Sequence, residues 1–467
     1  MRELRPAVLA VLATAVVVAV GAVVLVPAGF VLVAGLLALA ALAPLVRRLA
    51  DGAAWSLPVL VGVAVLLVDT GGRTLAPGMW RYVTTAAVVL TIVLLGTAPD
   101  SRSRALRTTA LVLFVYGLIG TFYGRLVLGT ANGSLPLIGP LVIACLPAVR
   151  DWGPAPQWRL GLRIVGAACA LFAVLSGLAR MGVLPETQVD VLNHEKAFLV
   201  VLGIAAALAA RDRLLIVVTT AAAVFAFVQY PAATYPLAVL VALGTVVLVR
   251  WSPPGGIRAV LGIATMTGIA LAVVHIDELI RLTGAYFALV GKIDNGDTRA
   301  ALYRSALAGL DSPLFGSLFT GDITVVGELS GEQVVVPVHN DYLSVSLGGG
   351  LVAGALLLGL FLFANGLALR SLPAISDPSQ RRAVIALLSA VNAAAVSAFA
   401  NPIFMNPGSS AVTYALLAAL TAACRTPVPA APPTPAAAPP DDAGERRRKE
   451  RPGPPRPGGR APTPSRV

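Results

Sequence analysis

Charge is what this chain has least of. Only 12% of its 467 residues are charged, about half the share found in soluble domains. Together with a mean hydropathy of +0.83, that scarcity excludes an ordinary soluble globular protein and indicates an integral membrane one. Lysine is nearly missing: Lys196, Lys292 and Lys449 are the only three among thirty-five cations, and arginine supplies the rest. That bias, with abundant Ala and Val, fits a high-GC bacterial genome. The three cysteines, Cys145, Cys169 and Cys424, sit inside apolar runs without paired spacing, which excludes a disulfide or zinc framework. There is no paired His-x-x-x-His, no Gly-rich loop ending in Lys-Ser/Thr and no dinucleotide fingerprint. The chain therefore offers no metal site and no cofactor site, and nothing in it points to nucleic acid.

What is present is a succession of apolar runs, at about 7–26, 28–46, 55–69, 82–97, 107–124, 134–149, 160–180, 196–210, 213–229, 235–249, 258–275, 343–369, 383–400 and 410–424. Backbone polar groups must be satisfied internally in lipid, so each run is expected to be a helix. The fold expected is all-α: a polytopic transmembrane bundle of about 12–14 spans. The first run is too long for a signal-peptide core and is read as the first span. Placing the N-terminus in the cytoplasm puts twenty-six Lys and Arg on the inner connections and nine on the outer ones. Both termini are then cytoplasmic. The organisation expected is an N-terminal transmembrane bundle (1–275), an extracytoplasmic loop with short helices (276–338), C-terminal transmembrane helices (339–425) and a disordered, basic, Pro/Ala-rich cytoplasmic tail (426–467).

The outer loop holds the chemistry. Residues 276–292 mix apolar and polar positions as an interfacial helix does. Asp297 is placed to cap a helix running to Leu310, with Leu302, Ala306 and Leu310 on its buried side. On that helix Arg299 and Tyr303 are neighbours at i,i+4, while Arg304 points about 140° away from Arg299. A variable segment at 321–333 follows, then His339-Asn340 at the mouth of a Gly-rich span. All three histidines, His194, His275 and His339, fall at outer membrane edges. His194 belongs to a polar cluster, Asn193-His194-Glu195-Lys196, at the start of a span.

Between Arg299 and Gly354 the order of features is Arg-x-x-x-Tyr, then Ser-Pro-Leu-Phe-Gly316, then His339-Asn340-x-x-Leu343, then Gly350 and Gly354 entering a span. This stretch of about fifty-five residues, with one large outer loop among many spans, resembles the O-antigen ligase / O-antigen polymerase superfamily of polytopic bacterial glycosyltransferases. The chain departs from that pattern in two places. Three residues, not two, separate Gly350 and Gly354, and an Arg frequent in an earlier outer loop is missing from 229–235.

The resemblance implies a polyprenyl-pyrophosphate-linked oligosaccharide as donor, a glycan or lipid-glycan as acceptor, and transfer on the outer face of the bacterial inner membrane without metal. A sugar hydroxyl is a weak nucleophile, and a positioned His contributes about 10²–10⁴ in rate by taking its proton. His339 is the expected base. Arg299 is expected to stabilise the leaving pyrophosphate. Asn340, Lys196, Arg304, Tyr303, His194 and Glu195 are the expected substrate contacts, with Lys196, Arg180 or Arg125 replacing the missing second cation. A polymerase fits the composition better than a lipopolysaccharide ligase, and other polysaccharide-assembly proteins would be its partners. The alternatives are a lipid-linked glycan flippase or other transporter, and a protein O-oligosaccharyltransferase. A transporter should show charges within its spans and two related halves, neither of which this sequence has.

Overall fold

The computed structural model describes residues 104–129, 157–183, 196–250 (apart from 231 and 233), 296–310, 314–319, 324–329, 332–399, 401–404 and 407–424, with a few positions at 53–63 and isolated ones elsewhere. All of these belong to the first of two units, Met1–Arg425 and Thr426–Val467. Side chains at 296–300 and 324–337 are not among the described features.

Eight of the apolar runs are helices. In chain order the helices are α1 (Arg104–Tyr123), α2 (Trp158–Arg180), α3 (Ala197–Ala210), α4 (Arg213–Gln229), α5 (Thr234–Arg250), α6 (Gly296–Ala308), α7 (Asp341–Ser371), α8 (Pro378–Ser397) and α9 (Pro407–Ala423). Of these, α6 alone belongs to the polar loop. Two helical stretches, Trp158–Arg180 and Asp341–Ala374, are long and apolar enough to cross a membrane, and α3, α4 and α5 are apolar but shorter. The runs at 7–26, 28–46, 82–97, 134–149 and 258–275, the cytoplasmic tail and nearly all of the proposed interfacial helix lie outside the described residues.

Helix α3 is the hub. It packs along α2 and α8, and α8 packs in turn on α5. Small residues make this close packing feasible, as they do between membrane helices generally. A Cβ on Gly203 would touch Cys169 Cβ at 3.0 Å, so α2 and α3 are nearly in backbone contact there. Deeper in the bundle Asn365 of α7 and Asn392 of α8 exchange two amide hydrogen bonds, 2.7 and 3.0 Å, and Asn392 also donates to Thr245 Oγ1 of α5 at 3.1 Å. Unpaired, either amide would be costly away from water; joined, they tie three helices at one level.

Two expectations about the polar loop need correction. Helix α6 begins at Gly296, so Asp297 is its second residue and not its cap. Leu302 and Ala306 are buried as expected, but Leu310 is only half-buried, because the helix has ended at Ala308. The segment taken as variable loop contains an antiparallel hairpin, β1 (Thr324–Leu329) with β2 (Glu332–Pro337), paired from Thr324↔Pro337 to Leu329↔Glu332. The strand signal was in the sequence: two runs holding Val325, Val326 and Val334, Val335, Val336 flank Ser330-Gly331, a two-residue hairpin connection.

Helix α7 is broken. At its 31 residues a straight helix would be about 46 Å long, well over the roughly 30 Å of bilayer hydrocarbon. Gly350 instead adopts φ 67°, ψ −172°, a conformation open essentially to glycine alone. The part beyond it, from Leu351 to Ser371, would be about 31 Å long. The break is met by the segment 314–319. Ser317 N donates to Leu347 O (3.2 Å), Phe319 N to Gly348 O (2.7 Å), and Val352 N to Leu314 O (3.3 Å).

Candidate functional site

His339 stands between the end of β2 and the N-cap of α7, and its backbone is left-handed, with φ 54°. That region is uncommon for any residue with a side chain and costs about 1–3 kcal/mol. Neighbours on both sides fix it. Val338 is fully buried with Leu302, Tyr303 and Ala306 of α6. On the other side the Asn340 Oδ1 accepts from Leu343 N at 3.1 Å, which is the N-cap of α7. Asp341 N donates to Ala398 O at 2.9 Å, and the fully buried Asp341 Oδ2 accepts from Phe404 N at 2.5 Å. His339 is half-buried, and the backbone at 339–341 bonds to both α6 and the end of α8.

This geometry alters the roles of several expected contacts. Tyr303 is 8% exposed, and its hydroxyl donates to Phe399 O at 3.0 Å and to His339 O at 3.4 Å. It clamps the backbone that carries His339. Asn340 Oδ1 serves the helix cap, and Asp341 Oδ2 accepts from the turn at 401–404. Arg304 is exposed on α6. Arg299 lies one turn before Tyr303 in α6, a backbone position on the face that carries Tyr303. His194 and Glu195 lie outside the described residues.

Lys196 is 1% exposed at the start of α3. Its level in the bundle follows from one contact. Arg382 Nε donates to Ala209 O at 2.9 Å, pinning the beginning of α8 to the end of α3. Because the two helices pack along their lengths, they run antiparallel. About 20 Å along each, α3 has returned to Lys196 and α8 has advanced to Ala395, whose carbonyl accepts the Tyr342 hydroxyl at 2.9 Å. Lys196 and His339 are thus at one end of the bundle.

Arg180, at the end of α2, is at this end too, since Arg159 at the start of α2 donates Nε to Ala210 O at the other (2.9 Å). Its guanidinium stacks 4.8 Å above the ring of Tyr230, in the 229–235 connection. This cation–π contact depends on tertiary packing and has no signal in the sequence.

Among the described residues no group of three or more His, Cys, Asp or Glu is disposed to hold a metal ion. Cys169 and Cys424 are free and buried. Fold and site together define a predominantly helical protein, with helices long and apolar enough for a membrane and a polar site collected at one end. No family model matches the chain, and no curated protein matches it significantly.

Proposed function

We propose that the protein is a metal-independent inverting glycosyltransferase, polytopic in the bacterial inner membrane, that polymerises or ligates lipid-pyrophosphate-linked oligosaccharides on the outer face. In the proposed reaction an acceptor hydroxyl attacks the anomeric carbon of the donor sugar. His339 takes the hydroxyl proton, the new C–O bond forms, and the bond from the anomeric carbon to the pyrophosphate oxygen breaks with inversion. The lipid pyrophosphate leaves with its charge met by Arg299, and by Lys196 or Arg180 as the second cation. Surface polysaccharide is the product class.

The observation that carries this reading is the fixing of His339 in a strained backbone conformation at the bundle end where Lys196 and Arg180 also lie. Strain of this kind is retained where function repays it. The break in α7 does not favour the transporter alternative. In transporters, unwound carbonyls face the ion or substrate, whereas here Leu347 O and Gly348 O accept from the 317–319 segment.

The test is polymer formation by His339→Ala and Arg299→Ala variants. Both should reach the membrane in normal amounts, yet make polymer at least about 100-fold more slowly, with EDTA leaving the wild type active. Full polymer length from both variants would overturn the assignment, and loss of activity in EDTA with rescue by one divalent ion would overturn the metal-free mechanism.

A further inference from the structure

We propose that the bundle end opposite His339 carries a built binding site for the head group of an anionic phospholipid, formed by Arg159, Arg211 and Arg382. The inference rests on the membrane reading of the apolar helices but not on the glycosyltransferase reading.

Two of the three guanidiniums are anchored to consecutive backbone carbonyls. Arg159 Nε, from the start of α2, donates to Ala210 O, and Arg382 Nε, from the start of α8, donates to Ala209 O, both at 2.9 Å. Arg211 follows directly, as the left-handed cap of α3 at φ 54°. Arg382 lies within electrostatic reach of both Arg211 and Arg159. Three helices therefore bring three like charges together at one point. Cations at a helix C-terminus gain from its dipole, but typically by only 0.3–1 kcal/mol each at exposed sites, and one would serve to cap α3.

Two carboxylates lie nearby. Asp212 pairs with Arg163 at 2.7 Å and caps α4 through Leu215 N, while Asp377 caps α8 through Ser379 N and Gln380 N and also attracts Arg382. Against the cations of Arg159, Arg163, Arg211 and Arg382, these two leave the local charge positive. Because Nε of Arg159 and Arg382 points at the carbonyls, the Nη groups are the donors left for an outside acceptor, one Nη2 of Arg382 being shared with Ser379 Oγ at 3.1 Å. A phosphate oxygen fits this geometry, since guanidinium recognises it with paired donors.

The surroundings select a lipid over a free anion. Leu208, at 54% exposure, precedes the cluster on α3; Leu214 and Val217, at 74% and 65%, follow it on α4. A charged group at the level of the arginines, with hydrocarbon along these side chains, describes an amphiphile. Basic pockets between spans are a recognised means of holding such head groups.

The experiment is native mass spectrometry of the full-length protein in detergent, titrated separately with phosphatidylglycerol, phosphatidylcholine and inorganic phosphate. Phosphatidylglycerol should be retained about 100-fold over phosphatidylcholine, at about fivefold for each of the three arginines, and the R159Q/R382Q pair should cut that preference about 25-fold. R370Q, which removes an exposed charge from the same end at the last turn of α7, should leave it unchanged. R211Q, whose side chain bonds no helix carbonyl in the cluster, serves where the paired variant does not fold, and should weaken retention about fivefold. Equal retention of the two lipids, an R370Q loss as large as that of R211Q, or displacement of lipid by millimolar phosphate would each overturn the proposal. Recovery from the membrane fraction reports the membrane reading separately, and polymer assays report the enzymatic one.

Discussion

At the scale of single residues, the side chain at 339 and the backbone beneath it make separate demands. A left-handed backbone favours glycine over alanine by about 1 kcal/mol, so His339→Gly should unfold at a higher temperature than His339→Ala, although both lack the base. Thermal denaturation of the purified variants measures this, and equal or reversed Tm values would show that 339 is not held at positive φ. Tyr303→Phe tests the clamp. It leaves the Phe399 and His339 carbonyls short of a donor inside the protein, a cost of about 1–3 kcal/mol. We expect a lower Tm and a smaller loss of polymerising activity than in His339→Ala. An activity loss as complete as that of His339→Ala, with Tm unchanged, would return Tyr303 to direct contact with substrate.

At the scale of elements, the Ser-Pro-Leu-Phe-Gly segment and the glycine triplet of α7 are two halves of one structure. A Cβ added to Gly316 would lie 2.5 Å from Gly350 N and 2.6 Å from Leu347 O, and one added to Gly350 would collide with the Leu314 carbonyl. Both residues also have positive φ. Gly316→Ala and Gly350→Ala should therefore each destabilise by several times the roughly 1 kcal/mol of an ordinary helix-interior glycine effect, and membrane-inserted yield measured by detergent-stable gel filtration should fall in both. Gly366, with nothing near its absent Cβ, is the control: Gly366→Ala should be neutral or stabilising. A normal yield for Gly350→Ala would mean that the break is not needed.

At the scale of the whole molecule, the two ends differ in chemistry. One collects His339, Lys196 and Arg180; the other collects Arg159, Arg211, Arg213, Arg381 and Arg382. The excess of Arg at the second end predicts that it faces the cytoplasm. Arg304→Cys should react with a membrane-impermeant maleimide in intact cells, and Arg381→Cys only after permeabilisation. Both positions are exposed and the native Cys169 and Cys424 are buried; Cys145, outside the described residues, is replaced by Ser in both variants. The reverse labelling pattern would invert the topology and, with it, the proposed outer-face reaction.

Sequence alone determined that the described chain is mostly helical and where eight of its helices lie, because hydrophobic run length is a local property. It also marked His339, the glycines and the Arg299–Tyr303 helix as related, from their order. Tertiary structure decided what these residues do. Tyr303 clamps the backbone beneath His339 because its hydroxyl meets carbonyls 36 and 96 residues away. The Gly-rich helix is broken because backbone hydrogen bonds freed at Gly350 find partners about thirty residues earlier in the chain. Lys196 and Arg180 joined His339's end through the antiparallel pairing of α3 with α8 and α2. Such pairings depend on which faces meet, and a linear pattern of apolar residues carries little of that information.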